Sequence, residues 1–440
     1  MPTCYPVIVV PGITATYLHD QYPLPPETIW SVLQKDYERA ALHPDNVRFE
    51  AQEPARIVSD QVYEIAYKEL IAELRHNLSD KADDPVSVYA FGYDWRRPLA
   101  SLDQQLRDFV EEVIERTKLQ RNYFPAYAAS PKVNLIGHSM GGLIIAGYLD
   151  RFGGEGRVHK VVSLAAPFQG SFEALIKITT GTANLGGDVP SSREREAARL
   201  TPALYHLLPS DQAGIEVDPG LPQPHSLFNA ALWQPSIAAT IDEFIRIHGV
   251  DKNKSPADRA AQAQRLLAEF LQAAAVYRAR VSALNLVSAG LTARDWLAVV
   301  GVDAETRCGL HIANANGAAS FDLSSRFRAN KWRDADATER RKTGDGTVPF
   351  AGAIPRFLPY ESLVCVSPDD FGYWEIADRA ATQLAGFHGM LPNMNMLHRL
   401  IVCHLTGRPT QYANIWGRLP PGISQAAWVP PIAGLAPKSP

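Results

Sequence analysis

The sequence predicts an α/β fold, in which a mostly parallel central sheet is flanked by helices and interrupted by a helical insertion. Two observations predict this class. Short apolar runs alternate with amphipathic helical segments over residues 7–170, which is the pattern of a parallel sheet covered on both faces. Residues 171–283 then carry no strand pattern. At 440 residues the chain is long enough for one large core with such an insertion.

The first part of the chain supplies core elements in the order strand, helix, strand. Continuous apolar runs predict buried strands at residues 7–10, 86–91, 133–136 and 161–166. Apolar residues at helical spacing predict helices at residues 61–78 and 101–120, and a further helix directly after residue 142. We therefore assign residues 1–170 to the first part of the core.

The middle of the chain is interpreted as a helical cap, or lid, over residues 171–283. Its clearest element is a long amphipathic helix at residues 257–283, which are rich in alanine and apolar on one side. The insertion follows directly after a core strand, which favours a cap over the core. A separate helical domain without a catalytic role is the alternative.

The core pattern returns after the cap. Strands are predicted at residues 284–290 and 363–366, the latter as the last strand, and a closing helix at 393–406. Residues 303–344 are polar and predict irregular structure. We assign residues 284–410 to the second part of the core and residues 411–440 to a proline-rich tail, expected to be extended or disordered.

Composition limits the class of function. With 43 basic and 47 acidic residues the net charge is −4, which does not favour nucleic-acid binding. Four scattered cysteines show no zinc spacing and predict free buried thiols, with a long-range disulfide left open: Cys4, Cys308, Cys365 and Cys403. No cofactor and no metal ion is expected. The oligomeric state does not follow from the sequence.

The N-terminus lacks the features of a secretory leader. No basic stretch precedes the first apolar run, and no segment approaches the roughly 20 apolar residues needed to cross a bilayer. We expect a protein that is cytoplasmic or exported without a cleaved signal peptide. A leader removed beforehand stays open.

The most specific pattern in the chain surrounds Ser139. Residues 137–142 read Gly-His-Ser-Met-Gly-Gly, with the apolar run 133–136 before them and an apolar helical segment after them. A serine at a glycine-flanked turn between a strand and a helix is the nucleophile elbow of α/β-hydrolases. The helix that follows directs its N-terminus at the same point, where it favours developing negative charge.

A serine nucleophile needs a base and an acid, which follow the serine along an α/β-hydrolase chain. Asp345, between two glycines in a predicted turn, is the best acid. His388, in a predicted loop before the closing helix, is the best base. Weaker candidates are Asp295, Asp303, Asp369 and Asp370 for the acid and His404 for the base.

Two backbone N–H groups are needed to stabilise the oxyanion of an acyl-transfer reaction. One is expected from Met140, the residue after the nucleophile. The loop after the first strand, with Pro11 and Gly12, is expected to supply the other from Ile13.

With these residues in order, the chain resembles the lecithin:cholesterol acyltransferase-like family of α/β-hydrolases, which includes phospholipid:diacylglycerol acyltransferases and lysosomal phospholipase A2. The resemblance spans residue 7 to about residue 406. It rests on short segments in the family's order at 10–13, 93–96, 137–142, 166–171, 207–209 and 344–349, followed by His388 and residues 390–391. The family's nucleophile, acid, base and oxyanion donors fall on the residues already chosen: Ser139, Asp345, His388, Ile13 and Met140.

The chain departs from family members that act outside cells or in organelles. Those usually carry a leader or anchor and a disulfide-closed lid near the N-terminus. From the sequence we expect no leader, and no cysteine lies between Cys4 and Cys308. The resemblance therefore does not transfer the substrate or the acyl acceptor.

These observations predict a serine-dependent acyl-ester hydrolase or acyltransferase acting on lipids through an acyl-enzyme. The cap favours a lipid, and transient contact with a membrane or lipid surface is expected. Aromatic residues expected to line the acyl groove are Trp30, Trp95 and Phe168, with Trp233 and Phe228 as further candidates. Basic residues between Arg326 and Lys342 could meet an anionic head group, although a solvated loop is the simpler interpretation.

Other functions stay open at the level of sequence. One is an esterase or thioesterase for soluble acyl substrates, and another is a non-catalytic binding protein with a hydrolase fold. A lipid-attacking enzyme without a leader also suggests an antibacterial phospholipase delivered by a specialised secretion system.

Overall fold

The computed structural model describes residues 4–41, 56–123, 125–182, 190–210, 214–249, 251, 253–373, 375–409 and 414–438. Its strands are β1 (Val7–Val10), β2 (Leu18–Asp20), β3 (Glu27–Trp30), β4 (Ile57–Val58), β5 (Val88–Ala90), β6 (Val133–His138), β7 (Val158–Leu164), β8 (Ile215–Val217), β9 (Trp296–Gly301), β10 (Thr306–Arg307), β11 (Leu310–Ala315), β12 (Ala318–Asp322), β13 (Arg328–Ala329), β14 (Val364–Val366), β15 (Trp416–Arg418) and β16 (Ala436–Lys438). Its α-helices are α1 (Tyr37–Ala40), α2 (Glu64–Leu78), α3 (Leu99–Lys118), α4 (Ala126–Ala129), α5 (Met140–Phe152), α6 (Phe172–Thr180), α7 (Ser192–Leu200), α8 (Pro202–His206), α9 (Pro235–His248), α10 (Pro256–Ser282), α11 (Phe350–Ala353), α12 (Ile376–Met390) and α13 (Asn395–Thr406).

The central sheet has the strand order β16-β15-β14-β9-β7-β6-β1-β5. The six strands from β14 to β5 pair in parallel, and β15 is antiparallel to β14. Strand β6, which directly precedes Ser139, lies in the interior of the sheet, between β1 and β7. The predicted fold class, an α/β-hydrolase fold with a mostly parallel sheet, is confirmed.

Helices cover both faces of this sheet, and the side chains of β1 show the division. Ile8 and Val10 belong to a buried cluster with apolar residues of α3 and α5. Val7 and Val9 belong to a second cluster with α2 and α13 on the opposite face. Since alternate residues of a strand point to opposite faces, a continuous apolar run is required here.

Helices also form where the cap was predicted. A third apolar cluster contains residues of α6, α8, α9 and α10, and it also takes in β8, β11 and β12. The absence of strands from residues 171–283 was wrongly predicted, because β8 pairs in parallel with β11. β8 is only three residues long and only partly buried, so its apolar pattern is too short to recognise.

The predicted strand at residues 284–290 is wrong. These residues form turns in which Asn285 Oδ1 accepts hydrogen bonds from the N–H groups of Val287 and Ser288, and Val287 is 79% exposed. The core strand lies slightly later, as β9. The irregular structure predicted for residues 303–344 also needs correction, because β11 and β12 form an antiparallel hairpin there and β10 pairs with β13.

The C-terminal residues extend the central sheet. The sequence predicted β14 as the last strand, but this is wrong, because β15 pairs with β14 and β16 pairs with β15. The buried carboxylate of Asp370 accepts hydrogen bonds from Arg418 in β15 and Lys438 in β16. The described part of the tail therefore forms two short strands joined by turns, and it is packed onto the sheet rather than extended or disordered as predicted.

The four cysteines are free, three of them buried and Cys308 half-buried, in agreement with the predicted thiols. Among the described residues, no helix combines the length and the apolar character that crossing a membrane requires.

Candidate active site

Ser139 lies at the sharp turn between β6 and α5, as predicted. Its backbone is left-handed, with φ 53° and ψ −127°, and its N–H donates a hydrogen bond to the carbonyl of Leu164 at 2.9 Å. A non-glycine residue in this region is strained, and such strain is often found at functional sites. Ser139 is only 7% exposed.

The turn brings the start of α5 against the end of β1. A Cβ atom added to Gly141 would lie 2.2 Å from the backbone oxygen of Val10. This separation is far below van der Waals contact, so only glycine fits without moving the backbone. The close approach places the N-terminus of α5 beside the loop that follows β1.

Asp345 lies in the turn predicted for it, close to the end of β9. The carbonyl of Gly344 accepts a hydrogen bond from Ala304 N–H at 3.0 Å, which joins this turn to the residues after β9. Asp345 Oδ1 accepts from the N–H groups of Thr347 at 2.9 Å and Val348 at 2.7 Å. These two bonds fix the carboxylate and leave Oδ2 directed at His388.

His388 does not lie in a loop, as the sequence suggested, but in the last turn of α12. Gly386, with φ 73° and ψ 161°, interrupts the helix two residues earlier. A residue in the left-handed region breaks a helix, and glycine adopts it without strain. The break redirects the chain, and His388 N–H then donates to the carbonyl of Asp345 at 3.1 Å.

The three residues meet in one chain of hydrogen bonds. His388 Nε2 is 2.8 Å from Ser139 Oγ, and His388 Nδ1 is 2.7 Å from Asp345 Oδ2. Since a carboxylate only accepts, Nδ1 carries the proton and Nε2 is free to accept from the serine hydroxyl. The arrangement can move a proton from Ser139 to His388 while Asp345 stabilises the resulting imidazolium.

The weaker candidates take no part in this chain. Among the described residues, no hydrogen bond joins Ser139 or His388 to the side chains of Asp295, Asp303, Asp369, Asp370 or His404. The ring of His404 instead lies against the backbone oxygens of Pro431 and Asp295, so it is the core histidine that its apolar helix suggested.

The loop after β1 lies beside Ser139. We call residues 11–14 the oxyanion loop. A Cβ atom added to Gly12 would lie 3.0 Å from Ser139 Cβ, which shows how closely this loop approaches. Gly12 N–H donates to Tyr67 Oη at 2.9 Å, whereas within the described residues no hydrogen bond from the N–H of Ile13 is found. The predicted donors therefore lie next to this close contact: Ile13 follows Gly12 in the loop, and Met140 follows Ser139 in the elbow.

Three residues whose roles the sequence did not reveal lie around this loop: His138, Tyr67 and Tyr93. His138, inside the elbow motif, contacts Tyr67 through Nδ1 at 2.7 Å and the carbonyl of His388 through Nε2 at 3.0 Å. The Tyr93 hydroxyl donates to the carbonyl of Pro11 at 2.7 Å. Helical spacing places Tyr67 on the buried face of α2, but no sequence signal gives the partner of its hydroxyl.

The predicted substrate-binding aromatics are buried in the core. Trp30, Trp95 and Phe168 are each less than 5% exposed, and the rings of the two tryptophans lie 4.7 Å apart. Two described cavities, of about 550 Å³ and 430 Å³, are lined by none of these residues and by none of the triad. Trp233 is buried in the apolar cluster of the cap, with Phe228 packed against it.

The basic segment that ends at Lys342 is largely paired with carboxylates. Arg333 contacts Asp303 and Asp369 at 2.9 Å and 2.7 Å, and Lys342 contacts Glu339 at 2.6 Å. These exposed pairs support the simpler interpretation of a solvated, internally paired surface.

Comparisons with known proteins agree with this fold. The sequence model of the family described as Lecithin:cholesterol acyltransferase matches residues 57–288, more than half of the chain. The matched range includes Ser139 and ends before Asp345 and His388. No curated protein sequence matched the chain. Among solved structures, a chain from the crystal structure of the Tle4–Tli4 complex is similar, with a TM-score of 0.54 and 15% identity over 79% of this chain and 88% of that chain.

Proposed function

Because the chain belongs to the lecithin:cholesterol acyltransferase family, we propose that it is a serine-dependent acyl-ester hydrolase or acyltransferase that acts on lipids. The observation that carries the proposal is the hydrogen-bonded chain from Ser139 through His388 to Asp345, with distances of 2.8 Å and 2.7 Å. Family membership supports acyl chemistry on lipids in general. The residues named below are our assignment.

In the proposed reaction, Ser139 Oγ attacks the ester carbonyl carbon while its proton moves to His388 Nε2. The carbonyl oxygen becomes an oxyanion, which accepts hydrogen bonds from the N–H groups of Ile13 and Met140. The bond to the leaving alcohol then breaks, and His388 returns the proton to that alcohol. This step leaves an acyl ester on Ser139 and a neutral imidazole.

Water or a second alcohol completes the cycle by the same steps in reverse. The acceptor gives its proton to His388, attacks the acyl carbon and releases Ser139. Water yields a free fatty acid, and an alcohol yields a new ester. The triad serves both outcomes equally, so the acceptor is decided by what the open site admits.

The burial of the site supports a lipid substrate. Ser139 and His388 are only 7% and 9% exposed, and we propose that neighbouring segments move to admit the substrate. The side chain of Ile13 packs against both the core cluster and the apolar cluster of the cap. Movement of the cap would uncover apolar surface next to the nucleophile, which is suited to an acyl chain.

The test is a product assay on mixed phospholipid vesicles that also contain a long-chain alcohol or a sterol. Wild type is compared with Ser139→Ala, and free fatty acid and new acyl ester are measured separately. We expect the variant to lose at least about 1000-fold in rate, because the acyl-enzyme cannot form. Thermal melting of both proteins controls for folding.

Each outcome is informative. Serine-dependent fatty acid indicates a lipase or phospholipase, and serine-dependent ester indicates an acyltransferase. If only a soluble short-chain ester is cleaved in a serine-dependent way, the lipid part of the proposal is wrong and the soluble esterase is favoured. Equal rates for wild type and variant, or no reaction with a fluorophosphonate probe, would favour a non-catalytic binding protein.

A further inference from the structure

We propose that Tyr67 is a positioning residue, which couples the oxyanion loop to the backbone of the base through the ring of His138. The inference rests on the proposed function, because it concerns the same site. Neither residue contacts the reacting atoms in the proposed mechanism. Tyr67 and His138 would instead affect the positions of the oxyanion donors and of His388.

Three hydrogen bonds form a continuous path across the site. Gly12 N–H donates to Tyr67 Oη at 2.9 Å, and Tyr67 Oη lies 2.7 Å from His138 Nδ1. His138 Nε2 lies 3.0 Å from the carbonyl oxygen of His388. The path therefore joins the loop after β1, helix α2, the elbow and helix α12, which are far apart in the sequence.

The donor and acceptor capacities of these groups fix the direction of each hydrogen bond in the path. The carbonyl of His388 can only accept, so Nε2 of His138 must carry its proton. Nδ1 is then an acceptor and takes the hydroxyl proton of Tyr67. The oxygen of Tyr67 in turn has a lone pair left for Gly12 N–H. Each donor and acceptor has one partner, so rotation of any one group would leave a buried polar atom unpaired.

Burial keeps the path neutral. Tyr67 is 0% and His138 is 4% exposed. Burial, with the neighbouring His388 as a further cause, holds the pKa of His138 well below its usual range, and burial raises the pKa of Tyr67. The rings of His138 and His388 are 4.9 Å apart. A neutral His138 therefore does not repel the imidazolium that forms on His388 in the proposed reaction.

The path also distinguishes the first two amides of the oxyanion loop, those of Gly12 and Ile13. Gly12 N–H is occupied by Tyr67, which leaves the next amide, that of Ile13, for the oxyanion. Since Tyr67 fixes Gly12, it also fixes the position of its neighbour relative to Ser139. A shift of about 1 Å in such a donor can cost on the order of 100-fold in rate.

Tyr67→Phe tests the inference, because it removes one oxygen atom and keeps the shape of the side chain. The matched control is Tyr127→Phe, whose hydroxyl is also buried and donates to the carbonyl of Lys132 at 2.8 Å, away from the site. Both are compared with wild type and Ser139→Ala on a soluble chromogenic ester. The measurements are kcat, KM, the inhibition constant of an alkyl boronic acid that forms a tetrahedral adduct with the serine, and the melting temperature.

We expect Tyr67→Phe to lose about 10- to 100-fold in kcat, with a parallel weakening of boronate inhibition and KM within about twofold of wild type. Peptides that contain Gly12 should exchange amide hydrogen faster in Tyr67→Phe than in Tyr127→Phe. A purely structural role would lower the active fraction but leave the boronate constant unchanged. If Tyr67→Phe failed to fold, His138→Leu would break the same path, because leucine is similar in volume to histidine and has neither a donor nor an acceptor.

The inference is overturned if Tyr67→Phe matches Tyr127→Phe in kcat and in boronate inhibition while Ser139→Ala is inactive. A loss of kcat with unchanged boronate affinity also overturns it. If Ser139→Ala retains the wild-type rate, the proposed function is wrong, and the inference falls with it. These results are distinct, so failure of one claim is not mistaken for failure of the other.

Discussion

At the scale of single residues, the position of Gly141 in the elbow restricts which amino acid can stand there. A Cβ atom at this position would lie 2.2 Å from the backbone oxygen of Val10, which leaves no room for a methyl group. Flexible side chains can move away from a new atom, but a carbonyl inside a paired strand cannot move without disturbing β1. Overpacking against such a backbone is costly.

We therefore expect Gly141→Ala to lower the free energy of unfolding by about 3 kcal/mol. The control is Gly154→Ala, at an exposed position where the nearest atom to an added Cβ lies 4.0 Å away, and its change should stay within about 0.5 kcal/mol. Urea unfolding followed by circular dichroism gives both values. Equal midpoints for the two variants would contradict the prediction.

The residues of the site differ in how far sequence could identify them. Ser139 is marked by its motif, and the hydrolase order of serine, acid and histidine then restricts the partners to residues after it. The structure brings Asp345 and His388 to Ser139, while their catalytic roles stay a prediction. Tyr67 could not be identified this way, because its hydroxyl bonds to a ring 71 residues later and no local pattern encodes that distance.

At the scale of elements, a buried carboxylate lies where helices α3, α5 and α10 meet. Asp103 in α3 is 0% exposed, and its Oδ1 accepts a hydrogen bond at 2.8 Å from Tyr277 in α10. Among the described residues nothing donates a hydrogen bond to its Oδ2, and the nearest guanidinium groups, of Arg280 and Arg151, are 3.8 Å and 3.9 Å away. Burial raises the pKa of Asp103 to about 7, against the opposing effects of Tyr277, Arg280 and Arg151.

This carboxyl should make stability depend on pH. The folded protein keeps the Asp103 proton up to about pH 7, whereas the unfolded chain releases it near pH 4. Unfolding therefore releases a proton between these values, and the free energy of unfolding should fall as pH rises, by up to about 1.4 kcal/mol per pH unit. The contribution is fully present below about pH 4 and lost above about pH 7.

Asp103→Asn isolates this effect, because it keeps the shape and an acceptor for Tyr277 but cannot ionise. The stability of the variant relative to wild type should rise between pH 4.5 and pH 7 and then stay level. Chemical denaturation at four pH values measures the difference and cancels other titrating groups. A difference that is constant with pH would show that Asp103 does not titrate in this window.

The elements also show why part of the fold escaped prediction. Residues 284–290 contain enough apolar residues to look like a strand, yet Asn285 forms a turn with its own backbone. The true strand, β9, is buried at every position. Periodicity cannot separate two nearby apolar runs when the deciding factor is which of them reaches β7 and β14 in space.

At the scale of the whole molecule, two exposed leucines lie in turns next to strands β2 and β3. Leu24 follows β2 and is 93% exposed, and Leu33 follows β3 and is 95% exposed. Trp30 in β3 donates to the carbonyl of Thr14 at 3.2 Å, which attaches these turns to the oxyanion loop. Apolar side chains presented this way would enter a lipid surface and bring the site to it.

We predict that Leu24→Glu combined with Leu33→Glu lowers partition onto phospholipid vesicles at least about tenfold, since burial of one leucine contributes about 1.5 to 3 kcal/mol. Co-sedimentation measures it. Activity on a soluble short-chain ester should stay unchanged. Leu119→Glu, at an 86% exposed position at the end of α3, is the control. Equal binding by all three proteins would place the lipid contact elsewhere.

The two strands that complete the sheet, β15 and β16, are synthesised long after the elbow that contains Ser139. β14 lacks its outer neighbour until β15 and β16 have left the ribosome, and the buried carboxylate of Asp370 has neither Arg418 nor Lys438 before then. During translation, after the elbow with Ser139 has been made, the growing chain therefore still carries the unpaired edge of β14 and the uncompensated charge of Asp370. Synthesis of β15 and β16, rather than synthesis of the elbow, would mark the moment at which the chain can complete its central sheet.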